Sequence, residues 1–378
     1  MTTAPSGRPR LPRRGLLTLA ALATLPAACS RVSRVAEAAP APGATPAGAA
    51  TSASASASAA SSASPTASPS ATATAQPTPS RSATPTGSAS PSTRAAAGRS
   101  GFGGPVPFGQ GKVKLGAYLS LSGRSLSSSI SLRRGQLGRE QRIVHAFYGF
   151  GERLHRPSIG DSTLLASWHG VPYSRINGGG SDKLIASAAR DLRGHKRPVL
   201  LRWGWEMNGD WFEWGGANNG QDTAGYIRAW RRMHDIFRRE GADNVAWVWS
   251  PNWNSGPNTS WNKMQRYYPG DAYVDWVGVS GYNFYKESPR TLFKPVVSAY
   301  GGKKPIIVTE TAAIDHGGNS KADWIADLSA YVKSTPQIGG LVWFDTDTHD
   351  APHNFRIDTS STSLAAYRAM ARSSRFAG

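Results

Sequence analysis

Residues 197–216 read RPVLLRWGWEMNGDWFEWGG. An apolar run, 199–203, leads into an aromatic and acidic stretch, and residues 200–216 hold four tryptophans and two glutamates within 17 residues. Near-continuous apolar runs of this length are what strands buried on both faces look like, as in a parallel sheet. The run therefore predicts a strand, and the aromatic and acidic residues after it predict a rim where that strand meets solvent.

The same pattern recurs down the chain. Apolar runs at 113–119, 143–147, 164–168, 199–203, 245–249, 276–279, 306–309 and 341–344 each lead through loop residues into a longer segment. The clearest of those segments is a helix predicted over 222–240. Asp222 or Thr223 can cap its start and Gly241 follows its end. Tyr226, Ile227, Trp230, Met233, Ile236 and Phe237 fall on one face, and the arginines mostly fall elsewhere. Segments 181–193 and 321–333 also suit helices. Eight strands with intervening helices match the roughly 250 residues of a (β/α)8 TIM barrel. A doubly wound open sheet is the alternative, but no G-x-G-x-x-G fingerprint follows any strand.

The 378-residue chain divides by composition. Residues 1–35 hold a basic start and a short apolar stretch, 15–28, which read as an export signal and not as a permanent span. Arg13-Arg14 resembles a twin-arginine signal. Cys29 follows Ala27-Ala28 as a candidate lipid acceptor; cleavage after Ala36-Glu37-Ala38 would instead release the protein. Residues 36–104 are almost entirely Ala, Ser, Thr, Pro and Gly, a disordered low-complexity linker with too few apolar side chains to offset the entropy of folding. Residues 105–378 are expected to form the barrel. Cys29 is the single cysteine, so no intramolecular disulfide can form. The net charge is +19, of which the nine arginines and one acid of residues 1–100 supply +8, leaving +11 for the remainder. A basic surface favours anionic polymers, but no nucleic-acid motif accompanies it, and a solvated basic face is the simpler reading. The chain is read as a monomer.

In a barrel, chemistry sits at the C-terminal ends of the strands. Glu206 lies three residues after the fourth run and Glu310 immediately after the seventh. Their spacing of 104 residues is three strand–helix units of about 31 residues each, so the two carboxylates are expected to face each other across the mouth. Such a pair suits glycoside hydrolysis. One carboxyl protonates the leaving oxygen, and the other attacks the anomeric carbon (retention) or activates a water (inversion), according to their separation. Trp205, Trp211, Phe212, Trp214, Trp249, Trp253 and Trp343 all fall at or just past strand ends, among Asn208, Asn252 and Asn283. Flat apolar rings and amide groups are what a saccharide cleft requires. His169 lies near the mouth, whereas His145 is equally well read as structural. Asp210, Glu213 and Asp345 are set aside as ordinary loop acids. The Asp- and His-rich 344–358 lacks a recognised metal-ligand spacing, and no metal or cofactor is expected.

The segment R-W-G-W-E-M-N-G-D-W-F-E-W-G (202–215) resembles the signature of glycoside hydrolase family 26, best known for endo-β-1,4-mannanases. WVWSPNW (247–253), VGVSGYN (277–283), PIIVTE (305–310) and NFRIDTSSTSLAAYRAM (354–370) agree with it in order. The resemblance covers 112–372 and implies a (β/α)8 barrel that cleaves β-glycosidic bonds with retention. It implies Glu206 as acid/base and Glu310 as nucleophile, Arg202 as an arginine beside the pair that keeps Glu310 ionised, Tyr282 as a hydrogen-bond donor to the nucleophile and Trp211 as a subsite tryptophan. Many members carry His where this chain has Trp205, a change that bears on substrate preference. The expected substrate is β-1,4-mannan or glucomannan, with mixed-linkage β-glucan, β-1,3-xylan or a polysaccharide of the cell envelope as alternatives. A non-catalytic carbohydrate-binding barrel is the reading from a different class.

Overall fold

The structure, a computed structural model, describes residues 102–109, 111–348 and 353–378. The export signal, Cys29 and nearly all of the linker expected from sequence lie outside them.

Eight parallel strands close into a barrel in chain order: β1 (Lys114–Ser120), β2 (Ile143–Tyr148), β3 (Thr163–Trp168), β4 (Val199–Trp203), β5 (Val245–Trp249), β6 (Trp276–Ser280), β7 (Ile306–Thr311) and β8 (Ile338–Thr346). The open-sheet alternative is thereby excluded. Seven helices accompany them among the described residues: α1 (Leu126–Leu137), α2 (Tyr173–Asn177), α3 (Asp182–Gly194), α4 (Thr223–Arg239), α5 (Pro289–Tyr300), α6 (Ser320–Lys333) and α7 (Ser361–Arg372). The β2–β3 connection is a loop, and two 3-10 turns, Met264–Tyr267 and Asp271–Tyr273, stand between β5 and β6. None of the described helices is long and apolar enough to cross a membrane.

Helix α4 shows how local chemistry sets the elements. The Asp222 side chain accepts from Gly225 N at its start, and Gly241 (φ 70°) follows its end. Tyr226, Trp230, Met233, Ile236 and Phe237 are buried against the barrel, while Ile227 is only half-buried.

Side-chain alternation along the strands divides the barrel's contents into layers. Ile143, Leu165, Leu200, Ala246, Val248, Trp276, Ile307 and Val342 form an apolar lower core. The next inward positions toward the mouth are His145, Ser167, Arg202, Ser250, Ser280 and Thr309, a buried polar layer. Segment 102–108 closes the lower end. The Trp276 indole donates to Gly103 O (3.0 Å) and Val106 O (2.9 Å), Val106 is buried, and Phe108 packs on the Trp276 ring edge.

Candidate active site

Glu310 reaches the mouth through an irregularity in β7. The β6–β7 register pairs Val279 with Val308 and then Ser280 with Glu310, so Thr309 is the extra residue. Ile307 and Thr309 point inward, and strict alternation would turn Glu310 outward. A bulge re-aims the side chain that follows it. Thr309 stays buried, donating to Val279 O (3.1 Å) and pairing with Ser250 Oγ (2.8 Å).

Glu206 is placed by the turn that leaves β4. Gly204 (φ 50°) and Glu206 itself (φ 54°) both adopt the left-handed conformation. For a glutamate this costs on the order of 1–3 kcal/mol, a strain that concentrates at functional sites. The turn is pinned by Glu206 N donating to Ser250 O (2.8 Å) and by Gly209 N donating to Glu206 O (2.9 Å). A Cβ at Gly209 would stand 2.4 Å from the Trp211 ring, so only glycine lets that indole lie across the loop. Trp211 Nε1 thereby reaches Glu206 Oε2 at 2.9 Å.

One guanidinium joins the two carboxylates. Arg202 is fully buried and donates through Nη1 to Glu310 Oε1. Its Nη2 lies 3.9 Å from Glu206 Oε1. The remaining Glu310 oxygen accepts from Tyr282 OH at 2.6 Å. Arg202 is itself held by hydroxyls, Ser167 Oγ on Nη1 (3.2 Å) and Ser280 Oγ on Nη2 (2.6 Å), with its guanidinium 5.1 Å from the Trp205 ring centroid. Ser167 Oγ is in turn 2.7 Å from His145 Nε2. Burial and the Arg202 charge hold that imidazole well below its ordinary pKa, hence neutral.

The two carboxyls differ in what surrounds them. Glu310 has a cation on one oxygen and a phenol on the other. Glu206 is pushed up to about 7, first by burial and then by the Glu310 charge, against the opposing effects of Arg202, Ser280 and Trp211. The site therefore sets a carboxyl that keeps its proton up to about pH 7 beside a second carboxyl paired with a cation, an asymmetry that general acid catalysis with nucleophilic attack can use.

The other residues predicted from sequence separate into those at the mouth and those that are not. Trp211, Trp253 and His169 are half-buried there. Trp205 is only 2 % exposed; it forms a wall behind Glu206 with Phe147, His169, Phe212 and Trp214 and is not an open platform. Trp249 and Trp343 correct the sequence expectation. Both face outward into the helix layer, Trp249 against Tyr268 and Tyr300, and Trp343 against Trp324 and Tyr367 with its indole donating to Phe355 O. Alternation is the reason: Val248 and Val342 point into the barrel, so their neighbours cannot. Asn208 is buried and tied to its own protein: its amide nitrogen donates to Asn252 O (3.0 Å) and Asn254 O (3.1 Å), and its oxygen accepts from Asn252 N (2.8 Å), so it joins the β4 and β5 loops. Asn252 likewise turns its amide to Asn254.

Sequence reasoning missed Phe344, Tyr118, Ser167 and Ser280. Phe344 stacks on Tyr118 (4.8 Å between centroids) and meets Tyr282 and Phe147, so it supplies the β8 aromatic of the mouth in place of Trp343. Period-two parity counted along each run was the signal that could have found it. The described acids of 344–358 serve ion pairs: Asp345 and Asp358 with the buried Arg133, and Asp347 with Arg356.

With this geometry in hand, the chain can be set beside known proteins. Residues 159–354 match the family model described as Glycosyl hydrolase family 26. Endoglucanase H of Acetivibrio thermocellus is 31% identical over 278 residues, 68% of this chain and 30% of that protein. Mannan endo-1,4-beta-mannosidase A and B of Caldalkalibacillus mannanilyticus is 32% identical over 182 residues, 46% of this chain and 32% of that protein. The chain thus spans about a third of the length of these relatives. The structure of a GH26 beta-mannanase from Bacteroides ovatus superposes with a TM-score of 0.54 at 19% identity, over 70% of this chain and 90% of that one, a likeness of fold.

Proposed function

Because the chain belongs to glycosyl hydrolase family 26, we propose that it is a retaining, endo-acting β-glycosidase that cleaves β-1,4-mannan or glucomannan. The observation that carries this reading is the asymmetric pair: Glu310 held by Arg202 and Tyr282, and Glu206 buried with its pKa pushed up to about 7. Glu310 attacks the anomeric carbon as the Glu206 proton passes to the departing glycosidic oxygen. The bond to the leaving sugar breaks and a glycosyl ester to Glu310 forms. Glu206, now ionised, takes a proton from the water that cleaves the ester. Arg202 pairs with the nucleophile in the free enzyme. The half-buried Trp211, Trp253 and His169 provide surfaces for sugar faces and hydroxyls, with Trp205 shaping the wall beside the cut.

A second substrate, β-glucan of mixed linkage, is favoured by two observations. Trp205 stands where many family members carry His, and the relative matched over 68% of this chain is named an endoglucanase. For localisation we propose export, with Cys29 either lipidated or removed by cleavage; recovery of the full chain from producing cells and mass analysis of its N-terminus separates the two. Glycan substrate is the proposed partner, and the chain acts as a monomer without a cofactor.

The test is reducing-end release from glucomannan, galactomannan, mixed-linkage β-glucan and β-1,3-xylan by wild type and Glu310→Ala. Turnover of a mannan that vanishes in the variant is the expected result. Turnover of β-glucan alone would move the substrate to the second reading. Binding without turnover on any polymer, unaffected by Glu206→Gln, would make the chain a carbohydrate-binding barrel.

A further inference from the structure

We infer that His145 is a positioning residue: held as the tautomer with its proton on Nδ1, it fixes Ser167 and through Ser167 sets Arg202 on Glu310. This role rests on the reading of Glu310 as the nucleophile, and it falls to a buried histidine that the proposed reaction leaves unused.

Four side chains from four strands, each at most 2 % exposed, are joined by hydrogen bonds. His145 Nε2 on β2 lies 2.7 Å from Ser167 Oγ on β3. Arg202 Nη1 on β4 donates to Ser167 Oγ (3.2 Å) and to Glu310 Oε1 on β7. A guanidinium only donates, so Ser167 Oγ accepts from Nη1, and the two hydrogens of that nitrogen are both engaged. Among the described residues, the Ser167 proton has a single hydrogen-bond acceptor, His145 Nε2. That nitrogen can accept only if the imidazole is neutral and its proton sits on Nδ1. The opposite tautomer leaves more groups unpaired. With Nε2–H and Nη1–H both aimed at Ser167 Oγ, the serine proton and the Nδ1 lone pair would each lack a partner. With the proton on Nδ1, only that N–H is left over, and Nδ1 is the His145 nitrogen without a hydrogen-bond partner among the described residues. An orphaned polar group in a buried site costs free energy, so one is preferred to two. The ring is held in place by Phe147 (4.3 Å between centroids) and by Tyr118, which it meets edge-on (5.9 Å). Ser280 supplies a comparison inside the same site, for it binds the other nitrogen of Arg202 (Nη2, 2.6 Å) and not the histidine.

The experiment reads the ring nitrogens directly. The full chain is labelled with 15N at histidine, and long-range 1H–15N NMR correlations distinguish protonated from bare nitrogens. The His145 signals are assigned by their loss in His145→Gln. Wild type at neutral pH is expected to show Nδ1 protonated and Nε2 bare. Ser167→Ala is expected to shift the proton toward Nε2, and Ser280→Ala to leave it on Nδ1. A second sample labelled at arginine reads Arg202, assigned by loss in Arg202→Met. Its two Nη1 hydrogens are expected to give separate signals in wild type and to average in His145→Leu. They are expected to separate again in His145→Gln, whose Oε1 takes the place of Nε2 as acceptor. Thermal melts establish that each variant is folded. On a polymer that wild type cleaves, His145→Leu is expected to lower kcat about tenfold with KM little changed, and His145→Gln to recover most of the loss. A bare Nδ1 in wild type, a tautomer that Ser167→Ala does not move or that Ser280→Ala moves as far, or Arg202 signals that stay apart in His145→Leu would overturn the inference. So would a kcat that falls equally in His145→Gln and His145→Leu. An inactive wild type removes the proposed function, while both sets of spectra still decide what His145 does.

Discussion

Glu206 folds with a strained backbone and an elevated pKa, and both features have measurable consequences. Since the acid must be protonated in the free enzyme, the basic limb of kcat/KM should fall near pH 7, where its carboxyl titrates. Glu206→Gln should lower kcat/KM by about 10²–10⁴-fold. The same substitution should change stability in a pH-dependent way. Folded Glu206 keeps its proton up to about 7 whereas the unfolded chain releases it near the ordinary value of 4.5. The folded state therefore binds more protons between those values, and wild-type stability falls as pH rises through that window. Glutamine has no such loss. Its advantage over wild type should be small below pH ~4.5, grow toward pH ~7 and then level off, reaching at most on the order of 3 kcal/mol. Melting temperatures of both proteins across that range check the sign. Arg202→Met removes the one cation from this buried pair, and breaking a buried ion pair costs about 3–5 kcal/mol. Denaturant unfolding should show that loss, and it should shrink in an Arg202→Met/Glu310→Gln double variant.

At the scale of elements, the strands and the longest helix were legible because their physics is local. Eight apolar runs mark strands buried on both faces, and Asp222 and Gly241 bracket α4 with the groups that helix ends require. Helix α1 was not legible. Its buried face is Ser129, Arg133 and Leu137, and only ion pairs from Arg133 to Asp345 and Asp358, more than 200 residues away, make an arginine acceptable there. The orientation of Glu310 was legible only in part, because the bulge at Thr309 depends on how β6 and β7 pair. The directions of Trp249 and Trp343 could be read from parity, once the inward set was fixed. The segment 102–108 carries no apolar period at all, yet it covers the lower core. Starting the chain at residue 112 exposes the surface that Val106 covers and strips both acceptors from the Trp276 indole. Burial of one aliphatic side chain is worth about 1.5–3 kcal/mol and an orphaned buried donor costs about 1–3 kcal/mol. At about 2–4 °C per kcal/mol for a domain of this size, the melting temperature should drop by roughly 5–25 °C relative to a chain that begins at residue 102. An unchanged melting temperature would mean the segment only rests on the barrel.

For the whole molecule, closure of β1 against β8 leaves no sheet edge exposed. All thirteen tryptophans lie between residues 168 and 343, so their fluorescence reports on the barrel alone. Melting followed by fluorescence and by far-ultraviolet dichroism should superimpose if the barrel unfolds as one unit; separated curves would reveal a part that opens first. The placing of Glu206 and Glu310 at one end of the barrel, three strand–helix units apart, was legible from spacing. The contact of Arg202 with Ser280 was not, since it joins β4 to β6, which only the closed barrel brings together. The two ends of the barrel also differ in what is attached to them. Phe102 and the C-terminal Gly378, which donates to Val113 O, both lie at the end capped by Phe108 and Trp276, opposite Glu206 and Glu310. A bead, sensor surface or fusion partner coupled through either terminus of this domain would therefore grip its blind end and leave the open end facing a polymer too large to diffuse inward.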